Sequence, residues 1–202
     1  MATPMIALSA GDTLAGEATS GTFRILLTRP PSRSRIFAVK LVGTMLYTLS
    51  LVFFLALFSV GLGVLIFGSG DLISFTDAGV AIFAASDVAW RFLLAYLLAA
   101  WGMCVVASLA MLLSSFVENA IGPIVGTMAI VILFLILGNL PFDFFIAMRP
   151  YLFTSYMDLW RRLFTDPVEW NVLARQVAYL GIFFALFTGS AWAIFVRKDV
   201  LS

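Results

Sequence analysis

Charged residues are spread unevenly along this chain of 202 residues, and the intervals between them carry its first structural signal. Four uncharged intervals run over 41–70, 92–117, 119–142 and 176–196, with lengths of 30, 26, 24 and 21 residues. No other interval exceeds 11 residues. Each of the four is dense in Leu, Ile, Val, Phe and Ala. A helix needs about 20 apolar residues to cross a hydrocarbon core about 30 Å thick. Backbone N–H and C=O groups in lipid must be paired within the segment, which selects helices over isolated strands. The pattern therefore predicts four membrane-spanning helices, at about 41–68, 91–116, 120–140 and 172–196. Four buried helices of a water-soluble domain would need polar faces to cover them, and the intervals offer none. The first interval exceeds the thickness of a bilayer, so its helix is expected to tilt or to start outside the membrane.

The connecting segments differ in character. Residues 71–90 read as a loop, with a helix start at Ser86-Asp87. Glu118-Asn119 leaves only a very short turn, so the second and third spans are expected to be antiparallel neighbours. Gly122 and Gly126 open the third span at a spacing that allows close helix approach, with a kink at Pro123 as the other reading. Pro141 closes that span. The stretch 141–170 holds nine aromatic residues, twice the 15% of the whole chain. From Tyr151 to Phe164 its apolar positions recur at helical spacing, opposite a face with Asp158, Arg161, Arg162 and Thr165. Asp158 and Arg162 stand at i,i+4. This pattern predicts a helix over 141–166 that lies in the interface or dips into the bilayer. Two roles fit it: a plain aromatic anchor, or a gate over a substrate path with Tyr156, Trp160 and Phe164 as candidate residues. Asp166, Pro167 and Glu169 then read as the cap and first turn of the helix that continues into the fourth span.

The first 40 residues form a separate segment, leaving 41–202 as the transmembrane domain. Thr19 to Thr28 reads as a short amphipathic helix, with Phe23, Leu26 and Leu27 on one face and Thr22, Arg24 and Thr28 on the other. Pro30-Pro31 stops it. Such a helix lies on a membrane surface or docks to a partner. Residues 1–11 carry no basic residue and make no secretory signal.

Composition agrees with this picture and narrows it. The chain is 62% hydrophobic and 11% charged, with a mean hydropathy of +1.07, well outside the usual range for a water-soluble domain. A net charge of +1 gives no basic excess for nucleic acid. The fold class is thus an all-α, polytopic helical membrane protein. With four crossings both termini share one side, which holds seven Lys and Arg against four acids. The other side holds five Arg against seven acids. The positive-inside rule then places both termini in the cytoplasm.

Catalytic chemistry has little to work with. The chain has no His, which excludes Ser-His-Asp and Cys-His catalysis and the commonest metal ligand. The lone Cys104 makes no metal cluster and no internal disulfide. Neither Lys is followed by Ser or Thr, so no phosphate-binding loop of the ATPase kind exists. No carboxylate, Lys or Arg lies within the four uncharged intervals, which argues against a self-sufficient proton-driven carrier. Asp158 with Arg161 and Arg162 is the polar cluster a membrane enzyme would need, and ion pairing on a solvated face explains it more simply. Catalytic, cofactor and metal residues are all expected to be none.

One stretch resembles a known family. Gly16-Glu17, Gly21-Thr22, Leu26-Leu27, Pro30-Pro31-Ser32-Arg33 and Lys40 are similar, in order and spacing, to the cytoplasmic motif of ABC-2-type transporter permeases. The ending from Phe195 to Asp199 is also similar to a common C-terminus of that family. The resemblance implies a permease subunit that couples ATP hydrolysis on a separate ATPase chain to translocation, in the export direction. It implies a second permease subunit, as homodimer or heterodimer, membrane lipid around both, and a prokaryotic plasma (inner) membrane. Contact with the ATPase would fall to a coupling helix containing Glu17, Gly21, Thr22, Arg24, Leu27, Pro30 and Arg33. The family's subunits have six spans with a re-entrant element between the fifth and sixth, so the four spans here would be its third to sixth. The chain is accordingly expected to lack one to two N-terminal helices. The rival reading is a non-transporting membrane scaffold or assembly factor, or an inactive fragment of a permease.

The charge asymmetry yields a direct test. Fluorescent-protein fusions at the C-terminus are expected to be bright and alkaline phosphatase fusions there inactive, with the reverse at residue 78. The opposite pattern would overturn the orientation.

Overall fold

A computed structural model of the chain describes residues 32–68, 70–76, 79–117 and 121–197. The chain divides into two units, Met1–Ile36 and Phe37–Ser202. In the first, only 32–36 are described, where the Ser32 carbonyl accepts from the N–H groups of Arg35 and Ile36 at 2.8 and 3.1 Å. The elements are helix α1 (Arg33–Phe67), strands β1 (Leu72–Thr76) and β2 (Gly79–Phe83), and helices α2 (Ala85–Phe116), α3 (Ile121–Asn139) and α4 (Asp143–Met148). A short 3-10 turn at Arg149–Tyr151 and a 3-10 helix at Phe153–Phe164 follow, and α5 (Trp170–Arg197) completes the order.

Helices α1, α2, α3 and α5 are long and apolar enough to cross a membrane. Each overlaps one of the four uncharged intervals, and α2 and α5 begin six to seven residues ahead of theirs. α1 starts at Arg33, ahead of the interval that opens at 41, and its 35 residues span about 50 Å at 1.5 Å per residue. It buries only Phe37 and Val52. Near its start, Phe37 lies 5.8 Å from the Phe195 ring of α5, and Lys40 Nζ stands 5.8 Å over the same ring. Side-chain hydroxyls in the apolar helices bond back to the preceding turn, as Thr48 does to Thr44 and Thr127 to Pro123, which removes an unpaired polar group from an apolar surrounding.

The core forms where α2 and α5 pack side by side. Val105 of α2 and Leu180 of α5 are fully buried. Trp101 donates its indole N–H to the Val177 carbonyl at 3.3 Å and its ring lies 5.6 Å from Phe184. α3 approaches the end of α2 through small residues. A Cβ built at Gly122 would meet Val117 Cγ1 at 3.2 Å, and one at Gly126 would meet Leu113 Cδ1 at 3.2 Å. Lipid is as apolar as the side chains, so association in a bilayer depends on such close packing. Pro123 lies in the first turn of α3, where its missing N–H would have no partner in any case.

Three expectations are corrected at the end of the bundle where these elements meet. The segment 71–90 is not a plain loop: β1 and β2 pair antiparallel, with Leu72 opposite Phe83 and Ser74 opposite Ala81. The hairpin turns these four residues toward the core and leaves Ile73 and Ile82 exposed, the period-2 alternation of a strand. The fold is therefore mostly helical rather than all-α. α2 starts at Ala85 through a bond from its N–H to Asp71 Oδ1 at 3.1 Å. α5 starts at Trp170, because the first helical N–H groups, of Val172 and Leu173, bond to Glu169 O. Asp166 is therefore not its cap, and the Asp166–Pro167 peptide is cis.

The close approach of α2 and α3 predicts that Gly122→Val with Gly126→Val costs about 1–3 kcal/mol, the range for overpacking. A lower thermal midpoint of the purified chain in detergent is the expected outcome; an unchanged midpoint would show that the contact carries no weight.

Candidate functional site

The residues that matter at this end are set by one helix geometry. Phe153–Phe164 runs as a 3-10 helix for 12 residues, longer than most. A 3-10 helix has three residues per turn, so side chains at i and i+3 stack in line. Asp158 therefore meets Arg161, at 3.7 Å, and not Arg162 as an α-helical spacing predicts. Arg162 instead reaches Glu169 at 3.3 Å. Ser155, Asp158 and Arg161 form one exposed row, while Phe153, Thr154, Leu159, Leu163 and Phe164 are buried.

Both ends of the 3-10 helix are fixed to the bundle. At its start Phe153 is 1% exposed and sits among three rings, Phe134 of α3 and Phe183 and Phe187 of α5, at 5.7, 6.2 and 5.8 Å. At its end, Arg91 of α2 donates from Nη1 to the carbonyl of Leu163 and, at 3.3 Å, to that of Thr165. Carbonyls at a helix C-terminus lack intrahelical partners and attract a cation. The Arg91 guanidinium also lies 4.2 Å over the Phe83 ring and 4.9 Å over Trp90, a favourable place for a desolvated cation. Arg91 is 6% exposed, and its Nε is buried without a hydrogen-bond partner. The charge intervals place this residue at the first position of the second span, next to the loop 71–90. The signal was present in the helix start at Ser86-Asp87, which makes Arg91 an internal helical residue.

A cavity of about 1040 Å³ opens between α2, the 3-10 helix and α5. Phe92, Ala95, Tyr96 and Ala99 supply one α2 face at i, i+3, i+4 and i+7. The polar row of the 3-10 helix, with Arg162, lines the opposite wall, and Gln176 projects from α5. Gln176 Oε1 is buried with no hydrogen-bond partner. Sequence reasoning missed the cavity and Gln176, since a lone amide in an apolar interval has no distinguishing pattern.

The three candidate gate residues do not act alike. Trp160 and Phe164 line the cavity. Phe164 is buried edge-on against Phe92 at 5.3 Å, whereas Trp160 is at the surface, 5.6 Å from the Arg161 guanidinium. Tyr156 faces α5, 5.3 Å from Tyr179, and donates its O–H to Pro150 O at 2.9 Å. Desolvation first, then Tyr179, push its hydroxyl above the ordinary tyrosine pKa, while Arg175 pulls the other way. Glu17, Gly21, Thr22, Arg24, Leu27 and Pro30 lie outside the described residues, as do the Glu118-Asn119 turn and Lys198-Asp199; Arg33 opens α1. Among the described residues, no group of three His, Cys, Asp or Glu is placed to hold a metal.

A family model described as a protein of unknown function, DUF2705, matches residues 1–201. The chain belongs to the DUF2705 family. Comparison with curated proteins and with solved structures gives no match.

Arg91→Met in the DUF2705 chain leaves the Leu163 and Thr165 carbonyls without their donor, a loss of about 1–3 kcal/mol. Amide hydrogen exchange over 153–165 is expected to rise about tenfold, with α5 residues 177–191 still protected. Arg91→Lys, which keeps the charge and loses the fork, falls between. Unchanged exchange in Arg91→Met would show that the 3-10 helix is held by its aromatic contacts alone.

Proposed function

We propose that this DUF2705 chain is the membrane-spanning permease subunit of an ABC-2-type transporter, or a part of one. A separate ATPase chain would hydrolyse ATP and drive export. The observation that carries the reading is the ordered motif from Gly16 to Lys40, which resembles the cytoplasmic motif of those permeases and stands immediately before four spans. Its elements are individually common; their order and spacing are not.

A two-state alternation needs a free-energy source, and the chain has no nucleotide-binding loop and no charge deep in its spans to couple to an ion gradient. An ATPase partner supplies it by binding the two states differentially. Glu17, Arg24 and Arg33 position that partner, Gly21, Thr22, Leu27 and Pro30 shape the coupling helix, and a second permease subunit completes the path. With both termini cytoplasmic, the hairpin and the 3-10 helix lie on the outer side as an interfacial or re-entrant element. There Trp160 and Phe164, at the cavity, act as its gate with Tyr156 behind them.

Affinity purification of the tagged full chain from its native membrane is expected to bring down an ABC ATPase. Glu17→Ala with Arg24→Ala is expected to cut that recovery and the ATP-dependent transport of reconstituted vesicles at least about tenfold, the size of one or two lost charged contacts. Recovery of no ATPase, or coupled transport untouched by the double substitution, would overturn the proposal. Retention of cellular function after deletion of residues 12–35 would favour a scaffold.

A further inference from the structure

The cavity beside the 3-10 helix has walls of two kinds. Phe92, Ala95 and Ala99 give an apolar floor, and they begin where the uncharged interval of α2 begins, just past Arg91. Asp158 and Arg161 stand in the eclipsed polar row on the other wall, with Arg162 beside them. A space with an apolar floor and a charged rim at the start of a span sits at the level of lipid head groups, where aromatic residues such as Trp160 also collect. It fits an amphiphile, with its chains along the floor and its head at the rim.

The rim specifies the head. It offers both signs of charge, Asp158 for a cation and Arg161 with Arg162 for an anion. The pairs these residues make, Asp158 with Arg161 and Arg162 with Glu169, are both at the surface and open to exchange. The Asp158–Arg161 contact is 3.7 Å with both side chains about two-thirds exposed, at 67% and 68%, and such surface pairs hold weakly. Gln176 Oε1 adds a second requirement. Gln176 lines the same space, while its Oε1 is turned into the protein with no donor; an unmade buried hydrogen bond is costly, so rotation of the amide toward a ligand N–H in the cavity relieves it. A ligand that satisfies all three groups carries N–H donors on a cation and an anionic oxygen ester. Its ammonium donates to Gln176 Oε1 and Asp158, and its phosphate accepts from Arg161 and Arg162.

We propose that this cavity binds the head group of an aminophospholipid, a diacyl amphiphile with a primary ammonium and a phosphodiester, taken from the adjoining leaflet. The choline analogue has the same charges and chains but no N–H, so Gln176 discriminates against it. The site does not depend on coupling to an ATPase, and its occupancy is read on this chain alone, so it stands or falls apart from the transport reading.

The test is lipid retention by the full-length chain. The protein is delipidated in detergent, given equal amounts of phosphatidylethanolamine and phosphatidylcholine with matched acyl chains, and weighed by native mass spectrometry. The ethanolamine lipid is expected to be retained about tenfold better, as one charge-assisted hydrogen bond allows. Gln176→Leu is expected to abolish the preference. Asp158→Asn, at an exposed side chain that folding does not need, is expected to weaken it. Arg161→Gln with Arg162→Gln is expected to lower retention of both lipids. Glycerophosphoethanolamine, the same head without chains, is expected not to displace the lipid. Equal retention of the two lipids by the unaltered chain would overturn the proposal, as would a preference unchanged in both Gln176→Leu and Asp158→Asn. Displacement by the free head group would overturn the bilayer as its source.

Discussion

A guanidinium buried without a carboxylate must find its acceptors elsewhere, and Arg91 finds them at the open C-terminal end of the 3-10 helix. Burying a charge costs several kcal/mol, and carbonyl acceptors with two aromatic faces are what offset it here. The consequence reaches three elements. The 3-10 helix is held against α2, the hairpin is anchored through Phe83, and Trp90 is fixed between Arg91 and Trp170, whose ring lies 6.1 Å away. Phe153 does the corresponding work at the other end of the 3-10 helix with apolar contacts alone. One end is thus held by directional, polar contacts and the other by packing. An element that has to move for function would release at the polar end, where a competing anion or water can replace the carbonyls.

The 3-10 geometry also explains why a cavity exists beside a well-packed core. Its rise is about 2.0 Å per residue, so the 12 residues reach about 24 Å, across the ends of α2, α3 and α5. An α-helix of the same length would reach about 18 Å. The stacked row of Ser155, Asp158 and Arg161 follows from the same geometry, and so does the freedom of Arg162 to leave Asp158 for Glu169. Opposite that row, Ala95 and Ala99 are too small to fill the gap. Phe92 and Phe164 pack on each other at its wall, and Trp101 packs away from it on Phe184.

α1 contrasts with this organised end. Most of its apolar side chains are exposed, and only Phe37 and Val52 are buried. A helix apolar all round is stable where lipid or another helix surrounds it. α1 begins within the stretch from Gly16 to Lys40 that resembles a coupling motif.

The four spans were legible because their signal is local and additive: an uncharged run of 21 residues or more has no other stable solution in a bilayer. The apolar face of 151–164 was also legible, since Leu152, Phe153, Leu159, Leu163 and Phe164 are buried as their spacing predicts. The hairpin in 71–90 was not, because two five-residue strands carry too little periodicity to stand out from a loop. Nor was the ion pairing of the 3-10 helix, which turns on the difference between 3.0 and 3.6 residues per turn. The true start of α5 escaped too, because Asp-Pro followed by Glu satisfies a cap pattern whether or not the backbone enters a helix there. By itself, then, the sequence determined four helices long and apolar enough to cross a membrane, their spacing, and the segment that resembles a coupling motif, all properties of contiguous residues. Tertiary structure alone decided that Arg91, Leu163 and Gln176, far apart in the chain, meet around one end of the bundle. The acceptors of a buried cation and the emptiness beside a small residue depend on what packs there.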